Sequence, residues 1–219
     1  MIKEIELSVP TAWSDVKLKK WLELQKEVDN YKDDEDAVSA LMLYHLCGLS
    51  PEYASGIALD DYVMIKSDIA KFINNVDIPL QRFIYIDGVE YGFEPNLSNM
   101  TYGSFADITK YNTIQIDENW ANIMSILYRP VDKKQGDMYT IKPYTGELNS
   151  KLFLEVGMDV HFGCLFFFVN LLKDLQASIL KSTMEMELPQ NIKSILGKNG
   201  ERIQQLLNLQ EETSLKLKK

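Results

Sequence analysis

With 219 residues, 46% of them hydrophobic and 25% charged, the chain holds apolar material for one large core or two small ones. A formal net charge of −9 and a pI near 4.8 exclude a protein that binds nucleic acid over its whole surface, because displacing counterions from phosphates needs a basic face. Two cysteines exclude a disulfide framework, and residues 1–20 lack the basic stretch, apolar run and small-residue cleavage site of a secretory leader, so a reducing, cytoplasm-like setting is expected.

Residues 10–28 carry Leu18, Trp21, Leu22, Gln25 and Val28 at helical spacing behind Thr11 or Ser14 as N-cap, which predicts a first helix. The acidic, aperiodic stretch 30–36 predicts a solvated connection whose last carboxylates favour the positive end of the next helix. That helix is expected to end at Cys47, with Gly48 as its left-handed cap. Ser50, Pro51 and Glu52 follow the order cap, first-turn proline, first-turn acid, and so start a short helix. Asp60 or Asp61 opens a further one, in which Tyr62, Ile65, Ile69, Phe72 and Ile73 recur on one face.

The texture changes at residues 82–94, where two β-rich arms flank Asp87-Gly88, a pair suited to the positive φ angles of a two-residue hairpin turn. Residues 101–111 and 117–128 predict helices, the second ended by Pro130. Residues 139–142 predict a third strand as the hairpin's partner, since a lone hairpin is marginal in water. The fold class expected is α+β, mainly α-helical, with a small antiparallel sheet. Residues 1–80 form its helical part, 81–150 the hairpin and short helices, and 151–219 a long apolar helix with a terminal helical hairpin, all in one unit.

The apolar run VHFGCLFFFVNLL, residues 160–172, is too short for a membrane span of roughly 20 residues. It is bounded by Glu155 and Asp159 before and by Lys173 and Asp174 after, which predicts a buried helix. Phe162, Leu165, Phe166, Val169 and Leu172 fall on one face, while Cys164, Phe168, Leu171 and Leu175 fall on another. A helix apolar nearly all round is either the centre of its own fold or buries its second face on another subunit. Phe162, Phe166, Phe167 and Phe168 are therefore candidate interaction residues, and an oligomer is expected.

Residue chemistry points away from catalysis. His45, Cys47, His161 and Cys164 are a ligand set that zinc accepts, but residues two apart on a helix point to nearly opposite sides, so His45 and Cys47 cannot share an ion. Buried thiols and hydrogen-bonded histidines are expected instead, with no metal and no cofactor. A reactive thiolate needs an electropositive, accessible setting, whereas Cys164 lies among phenylalanines. The sequence contains no G-x-S-x-G, H-E-x-x-H or G-x-x-x-x-G-K-[ST], and the acidic run 33–36 lacks the spacing of a calcium loop. No catalytic residue is identified, and the expectation is a non-enzyme.

The stretch IKSILGKNGERIQQL, from Ile192, resembles the KH signature, in which a G-x-x-G loop clamps a nucleic-acid backbone. Gly197, Lys198, Asn199 and Gly200 would be the loop, with strands at residues 183–188 and 214–218. Residues 189–219 hold six Lys or Arg against three Glu. A KH domain also needs a third strand and a third helix, which the residues up to Lys219 do not supply. The turn of a helical hairpin with Gly at the C-cap is therefore favoured over RNA binding.

Several separated segments follow one another in a suggestive order: PTAWSDVKLKKW from Pro10, CGLSPE from Cys47, IDGVEYGF from Ile86, MTYGSFADI from Met100, ILYRPV from Ile126, YTIKPY from Tyr139, FFFVNL from Phe166 and KNGERI from Lys198. Together they resemble a group of small virion-module proteins of tailed phages, particularly crAss-like phages and their relatives infecting Bacteroidetes. The resemblance implies a non-enzymatic component of the tail or head-to-tail connector, made in the bacterial cytoplasm and packed against other virion proteins. A tail assembly chaperone, a cargo protein delivered to the host and a KH-like RNA-binding protein acting through residues 197–200 are the alternatives. Candidate contact residues are Arg129 and Lys133 beside Pro130, taken as exposed, and Lys198 and Arg202 in the terminal hairpin.

Overall fold

The computed structural model describes residues 7–74, 78–111 and 115–185. The first helix is shorter than its apolar spacing predicts, because Asp15 draws the preceding chain into a separate 3-10 turn, Trp13–Asp15. Its carboxylate accepts the backbone N–H groups of Thr11 and Ala12, each at 3.0 Å, and these bonds hold the carboxyl below its ordinary pKa. Helix α1, Leu18–Val28, begins behind Lys17, so neither Thr11 nor Ser14 caps it. The entry to α1 is anchored from far along the chain: Met158 N–H donates to the Val16 carbonyl at 2.8 Å and Leu18 N–H to the Val156 carbonyl at 3.1 Å.

Helix α2, Glu35–Cys47, starts where the Asp34 carboxylate accepts the Ala37 N–H and stops at Gly48, whose φ is 76°. Ser50 caps the short α3, Pro51–Ala54. Helix α4, Leu59–Ile73, buries Ile65, Ile69, Phe72 and Ile73; Asp60 and Asp61 sit in its first turn behind Ala58 rather than capping it. Strands β1, Phe83–Ile86, and β2, Val89–Phe93, pair antiparallel about Asp87 and Gly88, whose φ angles are 50° and 77°. A Cβ at Gly88 would meet nothing within 4 Å, so Gly88→Ala isolates the backbone term. It is expected to cost about 1 kcal/mol, read as a lower urea midpoint with an unchanged slope.

Helix α5, Tyr102–Thr109, is capped by Thr101, and α6, Trp120–Leu127, is buried along most of its length. Pro130 does not end this helix. The chain turns extended at Tyr128 and runs as strand β3, Tyr128–Gln135, with Pro130 inside it. Residues 128–130 pair with β2, and from Val131 the strand pairs instead with β4, Met138–Ile141, through a register shift between Val131 and Lys133. Proline, which has no N–H to donate, thus stands where the strand changes partner, and its carbonyl accepts Lys142 N–H at 2.9 Å. The sheet has four strands in the order β1-β2-β3-β4, and the 139–142 strand joins β3 rather than the β1–β2 hairpin.

Helix α7, Ser150–Leu154, leads into α8, Met158–Glu185. Residues 183–185 are helical within α8, which removes the start of the strand that a KH arrangement needs at 183–188; the remainder of that strand, the 197–200 loop and the terminal hairpin lie outside the described residues. One apolar cluster joins α1, α2, α4, β1, β2, α6, α7 and α8, so the helical N-terminal part and the sheet share their interior.

Candidate interaction surface

The first three turns of α8 are enclosed by this chain on opposite sides. On one side Phe162 meets Trp13 and Trp21 edge-on at 4.8 and 5.3 Å and stacks on Phe166 at 5.8 Å. On another, Phe167 and Phe168 reach Phe93 of β2 at 5.5 and 6.3 Å. Phe162 is buried and so is no contact residue for a neighbour; Phe166, Phe167 and Phe168 are half-buried. The aromatic excess of this helix is used to fill the space between the N-terminal helices and the sheet. Cover thins after Val169: Leu171 and Leu172 are half-buried, and Asn170, Lys173, Asp174 and Leu175 are exposed.

His161 explains why a polar side chain sits in this run. Trp120 Nε1–H donates to its Nδ1 at 3.1 Å, and its Nε2 lies 3.1 Å from the Phe153 carbonyl, so the neutral ring with its proton on Nε2 satisfies both groups. Burial drives its pKa down to about 3, against the smaller opposing pull of the Phe153 and Val156 carbonyls. Burial likewise pushes the Cys47 thiol up to about 11 and the Cys164 thiol well above its ordinary value, leaving both protonated and unreactive. His45 Nε2 lies 3.2 Å from a Glu27 carboxylate oxygen but is not aligned for a hydrogen bond to it, so the expected hydrogen-bonded ring is found at His161 and not here. Among the described residues no group of three or more His, Cys, Asp or Glu side chains is gathered for a metal ion.

Arg129, expected at the surface, is buried. It lies opposite Gly92 of β2 and its guanidinium pairs with the equally buried Glu94 carboxylate. The pair is covered because β3 runs through the middle of the sheet, which the Pro130 helix stop had concealed. Lys133 is exposed and makes no ion pair among the described residues. It borders an open groove with Arg82, Lys134, Met138 and Tyr139. Here the Arg82 guanidinium lies 5.3 Å from the Tyr139 ring centre, and Lys134 Nζ sits 3.6 Å from that of Phe83 and 2.6 Å from Glu90. The hydrogen bond from Lys134 holds the half-buried Glu90 carboxyl below its ordinary pKa. Lys198 and Arg202 lie outside the described residues.

Residues that sequence analysis did not single out dominate the apolar surface. Tyr102 is 85% exposed and Phe105, one turn on, 56%. Tyr85 on β1, Met138 on β4, and Leu59, Val63 and Met64 on α4 are also largely exposed. The α4 residues carried a legible signal, since Leu59 and Val63 fall off the face defined by Ile65, Ile69 and Phe72. Tyr102 and Phe105 carried none, because nothing local tells which side of an eight-residue helix meets the body. No helix among the described residues is long and apolar enough to cross a membrane. Comparison of the chain with models of protein families, with curated proteins and with solved structures finds no match.

Proposed function

We propose that the protein is a non-enzymatic structural component of a tailed-phage virion, in the tail or head-to-tail connector region, acting by packing against other virion proteins. The observation that carries this reading is the spread of exposed apolar side chains over separate elements: α4, the β1–β2 hairpin, α5 and β4. Scattered single apolar residues are ordinary on a free surface, but the pairs Leu59 with Val63 and Tyr102 with Phe105 each recur within one turn on one helix. A subunit with neighbours on more than one side has a use for such surfaces. The succession of short sequence segments between Pro10 and Ile203 supports the assignment to tailed phages.

The test is mass spectrometry of purified particles combined with symmetric density for the protein in an electron-microscopy map. The expected outcome is the chain in mature particles at a copy number set by the symmetry of a ring. Its absence from finished particles, with recovery only from assembly intermediates, would make it the tail assembly chaperone. Presence without symmetric density would make it packaged cargo.

A further inference from the structure

We infer that α4 pairs antiparallel with the α4 of a second copy of this chain, through a seam made by Leu59, Val63, Lys66 and Ala70. This stands on α4 alone and goes beyond the virion assignment, which it does not need. The four residues are spaced by four, three and four positions, so they form one stripe along the helix, and all four are exposed. Leu59 is 74% and Val63 56% exposed, on a side adjoining the face of buried Ile65, Ile69, Phe72 and Ile73.

The order of the stripe says what covers it. It runs from large at its start to small at its end, with a lysine stem inside. About a two-fold axis midway along the stripe, Leu59 of one copy meets Ala70 of the other, and Val63 meets the aliphatic stem of Lys66. A parallel pair would instead stack Leu59 on Leu59 and bring Lys66 to Lys66. Charge gives the same orientation independently. Asp60 and Lys71 flank the stripe on the same side, at opposite ends of it. The antiparallel arrangement sets Asp60 of each copy on the same side of the seam as Lys71 of the other, offset along the helix axis by less than one turn, about 5 Å at most. A parallel arrangement puts the two on opposite sides of the seam and makes no such pairing. Lys71 bonds the exposed Asp68 of its own helix at 3.0 Å, an exchangeable surface contact that leaves it free to turn to the second copy. A seam of one helix pair is smaller than a standard interface of about 1,600 Å², so the association is weak in free solution and strengthened wherever copies are held close together.

Light scattering and sedimentation equilibrium on the full chain, across a dilution series, test this. The mass is expected to rise toward that of two chains with concentration. Leu59→Asp with Val63→Asp should leave a monomer at every concentration with unchanged circular dichroism and thermal midpoint, since both positions are exposed. Asp60→Lys or Lys71→Asp alone should weaken association about tenfold, and the two together should restore it. Orientation is read by cross-linking under mild oxidation, in which buried Cys47 and Cys164 do not compete. Chains carrying Leu59→Cys should link to chains carrying Ala70→Cys and not to one another, because two copies of position 59 stand roughly 16 Å apart in the antiparallel pair and a disulfide needs Cα atoms within about 7 Å. A monomer at all concentrations, an association indifferent to the two aspartates, or preferential linking of Leu59→Cys to itself would each overturn the inference.

Discussion

Replacing His161 by alanine is expected to destabilise the protein by about 4 kcal/mol, a large share of the roughly 5–15 kcal/mol that holds an ordinary domain together. The imidazole joins α6, α7 and α8, taking a hydrogen bond from Trp120 and facing the Phe153 carbonyl. Alanine leaves both groups buried without a partner and opens a cavity among Trp120, Phe153 and their neighbours, which are themselves fully enclosed. The same site sets an acid sensitivity whose sign follows from its lowered pKa. The unfolded chain binds a proton on this imidazole below its ordinary value of 6.5, while the folded protein does not until about pH 3. The stabilisation is therefore complete above pH 6.5 and is lost as the pH falls from there toward 3, by about 2 kcal/mol at pH 5. Urea unfolding at pH 7 and pH 5 measures both effects. The wild type should lose stability between these pH values, and His161→Ala should start lower and lose less. An equal pH dependence in the two proteins would show that the ring titrates in the fold as it does in the unfolded chain.

Gly163→Ala is expected to destabilise by about 2–3 kcal/mol, although alanine in a helix interior is ordinarily worth about 1 kcal/mol more than glycine. The sign is reversed by a close approach. A Cβ at position 163 would stand 2.5 Å from the Pro79 carbonyl oxygen and 3.1 Å from its carbon. Those are backbone atoms of a segment tied to α8 by Gln81, whose amide donates to the Asp159 carboxylate at 2.5 Å, and to β3 by Tyr128, whose hydroxyl donates to the Gln81 carbonyl at 2.6 Å. They cannot rotate aside as a side-chain tip can. Relief requires moving the strand entry at residues 79–82 away from the helix, which disturbs the start of β1 as well. Chemical unfolding of the variant decides the matter: a midpoint equal to or above that of the wild type would mean that the helix and the 79–80 segment are not in contact.

Much of the architecture was legible in local sequence. The Asp87-Gly88 turn, the Gly48 stop and the Ser50-Pro51 start each depend on one or two residues whose backbone preferences leave little choice, and each appears where those preferences put it. The elements misplaced were those in which a distant contact competes with a local signal. Thr11 and Ser14 looked like helix caps, but Asp15 captures the backbone N–H groups first, and the Val16 and Val156 carbonyls anchor the later start of α1. Pro130 looked like a helix stop, yet the helix had already ended at Leu127, because residues 128–130 gain strand partners in β2. That one difference turned Arg129 from an expected surface contact into half of a buried ion pair with Glu94.

By itself, the sequence determined that the chain is mainly helical with a small antiparallel sheet, where its sharpest turns fall, and that residues 160–172 form a helix needing cover on nearly every side. Only the tertiary structure decided what provides that cover. Trp13 and Trp21 from the first helical segment and Phe93 from the sheet close on opposite faces of the same three turns. The physical reason is that hydrophobic burial is non-directional: a periodic pattern states how much apolar surface must leave water and on which faces, but which surface it meets is settled only when distant segments compete for it. Here those segments come from this chain. Among the described residues, further exposed apolar side chains lie on α4, whose spacing set them off the buried face, and on α5, where no local pattern did.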